Sequence, residues 1–352
     1  MPKKKQQSLP KKPNNLKIAF LALGVLILLI IIGRLFTFLI SLQKPISSEF
    51  NTEKKYTWNQ TSTYNVAFIA NAETDNPDIS VVTWKPSEGK TVVLHLSPNI
   101  YTEVSRNYGN WRLGSVFALG QEETKPIGPA LIKETLTKML ALPIDGIVML
   151  PESTEFTNTE AIVESFRTNK IPDFLYLSKI KSDLTKWEAI KLYQSLSNVR
   201  ADKVDSLNFE RSTITESKLL PDASRVLGVN TVRLDLFIRD TFSDPVIIDE
   251  NFTVAIFNAT DTPGLGQEVS RYVTNMGASV IILQNLDQKI DKTSVVLTPN
   301  QSSPETLNSV TYQRVAQFLA PHCLENQCLL QNPKIDTSRA TINIVIGQDY
   351  TK

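Results

Sequence analysis

From Ile18 to Leu42 the chain is apolar almost without a break, and about 25 such residues cross a bilayer as a tilted helix. Arg34, near the outer end, reads as a residue that snorkels to the headgroups. Polar residues then fill positions 43–63, including Pro45, Ser47, Ser48, Lys54 and Lys55, the composition of a stalk. Beyond it, Asn65–Ala70, Ile79–Trp84 and Thr91–Leu96 are short apolar runs that predict strands. The turn Pro86-Ser87-Glu88-Gly89 predicts that the last two form a hairpin. Ala130–Leu142 carries apolar residues at helical spacing up to Pro143, and Gly146–Leu150 predicts a buried strand.

From Pro151 to Lys218 the pattern is helical and polar, clearest at Leu184–Leu196. Asp235, Asp240, Asp244, Asp249 and Glu250 then mark an interdomain segment with a short strand at Val246–Ile248. These acids lack the spacing of a calcium loop and read as solvated. The last hundred residues predict strand 253–258, helix 264–276, strand 279–283, strand 294–297, helix 304–319 and strand 341–346. This β-α-β-β-α-β order implies a split βαβ arrangement on an antiparallel sheet, with helices on one face and the other face free to bind. Gly264-Leu265-Gly266 starts like a dinucleotide fingerprint, but Val269 stands where its third glycine belongs.

The fold class expected is α/β, of the α+β kind. A basic tail (1–17), a transmembrane helix (18–42) and a stalk (43–63) lead into a mixed α/β sandwich domain (64–250) and a C-terminal domain (252–352). Lys3, Lys4, Lys5, Lys11, Lys12 and Lys17 precede the apolar run, which places the N-terminus in the cytoplasm and the bulk of the chain outside the cell membrane. No small-x-small cleavage pattern follows the apolar core, so the segment reads as a retained single-pass anchor.

The net charge of +1 offers no basic surface for nucleic acid, and the cytoplasmic tail is too short for a DNA-binding domain. His95 and His322 are the only histidines, which leaves little room for a His-rich zinc site or a triad; both read as structural. Cys323 and Cys328, the only cysteines, face the oxidising side and read first as a disulfide. Closing so short a loop contributes about 2 kcal/mol. Free thiols come second, and a metal site third, for want of further cysteines.

Three segments carry a family resemblance: Val254–Thr260, Pro263–Gly266 with Ile282–Leu286, and Ile342–Tyr350. Together they resemble the LytR C-terminal domain over roughly residues 252–352, with Ala259 where that family has glycine. More faintly, Asn65–Ala70, Asp78–Val82 and Leu113–Gly120 are similar to the LytR-CpsA-Psr domain. That resemblance implies transfer of a glycopolymer from a polyprenyl-pyrophosphate lipid to the cell wall. It also requires an arginine-aspartate pair, and here the corresponding segment is Leu96-Ser97-Pro98-Asn99-Ile100-Tyr101, with no cation.

Charge developing on a pyrophosphate needs arginines or magnesium. The expectation is therefore a non-catalytic envelope scaffold, without cofactor, that binds wall glycan or an envelope protein. The rival is a working phosphotransferase using Asp78 with Mg2+ and Arg106, Arg112 or Arg200. Arginines converging on an apolar pocket would favour the rival, and a polar cleft without them the scaffold.

Overall fold

The structure is a computed structural model that describes residues 15–47, 58–74, 76–150, 164, 180–211, 213–299, 302–325 and 327–351. The chain divides into two compact units, Met1–Lys44 and Pro45–Lys352. The first holds α1 (Asn15–Leu42), whose stretch Ala19–Leu42 is long and apolar enough to cross a membrane.

The second unit has two lobes. In the first, a six-stranded sheet runs β7-β6-β1-β2-β3-β8. Its strands are β1 (Tyr64–Ala70), β2 (Asp78–Lys85), β3 (Lys90–Leu96), β6 (Gly146–Leu150), β7 (Lys181–Ser182) and β8 (Val204–Asn208). β1, β2 and β3 form an antiparallel meander that includes the expected hairpin. β6 and β8 join it in parallel.

Every residue of β1 is buried because both faces are covered. Ala67 and Ile69 face α3 (Gly128–Leu140) through Leu131, Ile132 and Leu136. Val66 and Phe68 face α4 (Lys186–Ser197) through Leu192 and Leu196. The Thr185–Glu188 capping box starts α4. Two short antiparallel pairs flank the first face: β4 (Tyr101–Val104) with β5 (Gly109–Arg112), and β9 (Thr215–Leu219) with β10 (Arg225–Val229). The short helix α2 (Val116–Gln121) packs on α3.

Several expectations are corrected here. The described parts of the expected stalk pack on the domain: Ile46 N–H donates to Leu184 O, and Trp58 is fully buried, stacked on Tyr64 at 4.5 Å, while 48–57 lie outside the described residues. The stalk's apolar anchor overrides its polar composition. In the region expected to be helical, β8 and β9 are strands; their sequences, VDSLN and TESKL, are too polar to announce it. The part of that region at 151–179 lies outside the described residues, save Glu164.

Val246–Ile248 is helical. α5 (Thr231–Phe242) and α6 (Pro245–Glu250) fill this segment, and three of its acids are structural rather than solvated. Asp235 holds Arg271 through two 2.8 Å bonds. Asp244 caps α6 through Val246 N–H and also accepts Thr63 N–H. Glu250 accepts the Val310 and Thr311 N–H groups at a neighbouring helix start, each at 2.7 Å.

The second lobe keeps the expected element order, with β11 (Thr253–Asn258), α7 (Leu265–Met276), β12 (Ser279–Asn285), β13 (Ser294–Leu297), α8 (Pro304–Asn308), α9 (Val310–Leu319), α10 (His322–Glu325), α11 (Pro333–Asp336) and β14 (Ile342–Ile346). Ser309 splits the single helix expected at 304–319: it ends α8 in an extended conformation and caps α9.

The sheet is not antiparallel. In its order β12-β11-β14-β13, β11 runs parallel to both neighbours, and only β13–β14 is antiparallel. The α7 crossover returns the chain to the same end of the sheet and so dictates the parallel pair. Nor is the second face free, because Phe257, Val296 and Val345 pack there under Ile335 of α11 and Leu286. Gly277 ends α7 at φ 111°, a conformation only glycine takes without strain.

Candidate functional site

A cleft of about 520 Å3 opens where the β4–β5 and β9–β10 hairpins meet the ends of α3, α5 and α7. Its walls carry both signs of charge, and each of its three cations has a partner. Lys138 lies 3.1 Å from Glu103, and the Lys218 ammonium sits 5.7 Å from the Tyr101 ring centre, a cation–π contact. Arg271, on the floor, is held by Asp235, whose hydrogen bonds raise the guanidinium pKa further. With Asn110 and Ser217 also in its lining, the cleft offers an aromatic ring together with neutral and charged donors and acceptors.

The residues expected to carry phosphoryl chemistry lie elsewhere. Arg106 and Asn107 take positive φ in the turn joining β4 and β5, and Arg106 forms a two-pronged bond to Glu134 of α3 at 2.7 and 2.5 Å. Arg112, at the other end of that hairpin opposite Tyr101, donates to Asn99 Oδ1 at 3.3 Å and to the Arg225 carbonyl at 3.5 Å. It thereby ties β10 to the corner after β3. Arg200 forks onto Asp202, two residues away, at 3.0 and 3.1 Å.

Asp78 opens β2 opposite Ala70, at the sheet end where β3 finishes, since Ile79 pairs with Leu96. Arg200 precedes Val204, which pairs with Thr91 at the start of β3. The structure thus brings Arg112 to Asn99 but gathers none of the three arginines with another. Asp78 offers one carboxylate and, among the described residues, belongs to no group of three His, Cys, Asp or Glu ligands able to share an ion.

His95 does more than fill a core position. Its Nδ1 lies 3.0 Å from Ser80 Oγ and its Nε2 3.2 Å from Ser206 Oγ, and Ser80 Oγ is 3.4 Å from Asp78 Oδ1. This polar chain crosses β2, β3 and β8. The alternation His95, Val93, Thr91 on one face of β3 was a signal for it; the β8 partner was not legible, because β8 itself was not.

The cysteines form the Cys323–Cys328 disulfide. Sequence reasoning missed what stands beside it: a ring nitrogen of His322 and the two sulfurs lie within 4.8 Å of one another.

Residues 251–350 match the family described as LytR cell envelope-related transcriptional attenuator. Within them the turn at Ala259 closes without glycine: Ala259 is buried, and Asn258 Oδ1 accepts Thr260 N–H and Oγ–H at 3.1 and 2.7 Å.

No curated protein matches the chain. Among solved structures, a transcriptional regulator from Enterococcus faecalis is 17% identical over 51% of this chain and 87% of its own, with a TM-score of 0.40. TagT from Bacillus subtilis is 14% identical over 54% of this chain and 93% of its own, at 0.36. A LytR-CPS2A-psr family protein, TagT with bound octaprenyl pyrophosphate lipid, is 12% identical over 54% of this chain and 92% of its own, at 0.37. Likenesses this low carry no function across.

Proposed function

We propose that this chain is a single-pass envelope protein, its N-terminus cytoplasmic and its bulk extracytoplasmic, that binds cell-wall glycan or an envelope protein and does not transfer glycopolymer. One observation carries the reading: Arg106, Arg112 and Arg200 are each bound to a nearby carboxylate or amide and do not converge, so among the described residues these three form no guanidinium clamp for a pyrophosphate. The Tyr101 cleft suits a polyhydroxylated ligand, for which an aromatic ring and hydrogen-bonding groups, neutral ones such as Asn110 and Ser217 among them, give orientation. The family matched by residues 251–350 is cell envelope-related, which fits the placement.

The test uses the full chain in detergent with octaprenyl-pyrophosphate-linked sugar, purified wall acceptor and magnesium, scoring bound lipid, transferred sugar and retained wall glycan separately. Wall glycan retained without transfer, and weakened by Tyr101→Ala, is the expected result. Sugar transfer that disappears in Asp78→Asn or Arg112→Ala would replace this reading with the phosphotransferase.

A further inference from the structure

Cys323 and Cys328 are the chain's only cysteines, and one of its two histidines directly precedes the first. Cys323 lies at the lobe's main core and Cys328 bridges to the second-face cluster, with His322 half-buried beside them. The Val295 N–H at the start of β13 donates to Cys323 Sγ at 3.4 Å. One imidazole nitrogen lies within 4.8 Å of both sulfurs, which the disulfide holds at bonding distance; once the bond opens, the three donors must reach the roughly 3.5–3.8 Å separations around a tetrahedral zinc ion, given bonds of about 2.3 Å to sulfur and 2.0–2.1 Å to nitrogen.

We propose that His322, Cys323 and Cys328 form a redox-gated site for a thiophilic divalent cation such as Zn(II), with the disulfide as its closed state. Opening is a two-electron step. A dithiol reductant becomes a disulfide, the Cys323–Cys328 bond breaks, and each cysteine sulfur takes one proton. The cation then displaces both thiol protons, His322 supplies a third donor through a neutral ring nitrogen, and water completes four-coordination.

Two features of the surroundings suit this role. A dication with two thiolates has no net charge, so the half-buried position imposes a far smaller desolvation penalty than a lone thiolate would. The Val295 N–H already directed at Cys323 Sγ becomes a charge-assisted donor to a thiolate and fixes that ligand's direction. The proposal is independent of the Tyr101 cleft and of whether the first lobe has chemistry.

The test is a Zn(II) titration against a chromophoric chelator. It compares the full chain in detergent, oxidised, with the same chain reduced by dithiothreitol and desalted under nitrogen. One equivalent bound only after reduction, lost in Cys328→Ser and weakened by at least about tenfold in His322→Ala, is expected. Co(II) in place of zinc should give sulfur-to-metal charge-transfer absorption in the reduced chain alone. Equal zinc binding by the oxidised and reduced chains, or an unchanged affinity in His322→Ala, overturns the site. If reduction melts the lobe's near-ultraviolet circular dichroism, recovery on adding one equivalent of zinc supports the proposal, and no recovery overturns it.

Discussion

The seam between the two lobes and the solvent-exposed rim of the first lobe use the same chemistry to different ends. At the seam, Arg314 of α9 meets Asp145, just before β6, through bonds of 2.5 and 2.7 Å, with side chains 5% and 13% exposed. Asp145 also accepts Asn65 N–H at 2.8 Å, joining the pair to the central strand of the first lobe. On the rim, Arg200 and Asp202 are paired at similar distances but 79% and 59% exposed. The surrounding water distinguishes these pairs more than their bond lengths do. The charges at the seam have lost their hydration and depend on one another, while the rim charges remain solvated whether paired or not.

Removing one partner at the seam should therefore have the largest effect. Arg314→Met leaves the Asp145 carboxylate without its cation and should destabilise the second unit by about 3–5 kcal/mol, whereas Arg314→Met with Asp145→Asn should recover part of that. Denaturant unfolding of the unsubstituted chain, Arg314→Met, Asp145→Asn and the double variant gives the coupling. Equal losses in Arg314→Met and in the double variant would mean that the charge pair is not what joins the lobes.

Next is Glu250→Ala, which removes the acceptor for the first N–H groups of α9, the helix that carries Arg314. About 1–2 kcal/mol is expected from the lost cap. Asn275→Ala should lose a comparable amount, roughly 1–2 kcal/mol, since Asn275 Nδ2 donates to the carbonyls of Leu140 and Ala141 at the C-terminal end of α3.

The alkaline limit separates buried from solvated groups without mutation. Burial raises the Tyr272 and Tyr350 phenols well above their ordinary value. A group raised in the folded state stabilises it fully below the unfolded pKa, about 10 for tyrosine, and loses that contribution as pH rises toward the folded value. Ultraviolet titration should show these two tyrosines ionising only together with loss of structure. Titration near pH 10 in the intact fold would mean that they are open to water.

The smallest effects belong to the rim. Glu134→Gln, which frees half-exposed Arg106, should change stability by less than about 1 kcal/mol, and Asp202→Asn should leave unfolding unchanged. If either variant matched Arg314→Met, the distinction between seam and rim would fail.

How much was legible follows the range of the interactions. β1, β2 and β3 announced themselves because runs such as NVAFIA and TVVLHL are apolar and a Pro-Ser-Glu-Gly turn joins two of them. The second lobe's element order was readable for the same reason. The polar strands β8 and β9 were not, because their place in the structure comes from pairing and not from their own burial. Among the site residues, Arg200–Asp202 was near enough in sequence to see, whereas Arg106–Glu134, Asp235–Arg271 and Arg314–Asp145 span 28, 36 and 169 positions.

The sequence by itself determined the apolar N-terminal helix, the alternation of elements and the pairing of two close cysteines, since each depends on residues within a few turns of one another. Only the tertiary structure decided that β11 runs parallel to both neighbours, that α11 covers the second face, that Asp235, Asp244 and Glu250 hold helices and lobes together, and that His322 stands beside the disulfide. Strand direction, coverage and charge partners depend on where distant segments arrive, and local hydrophobic periodicity carries no information about that.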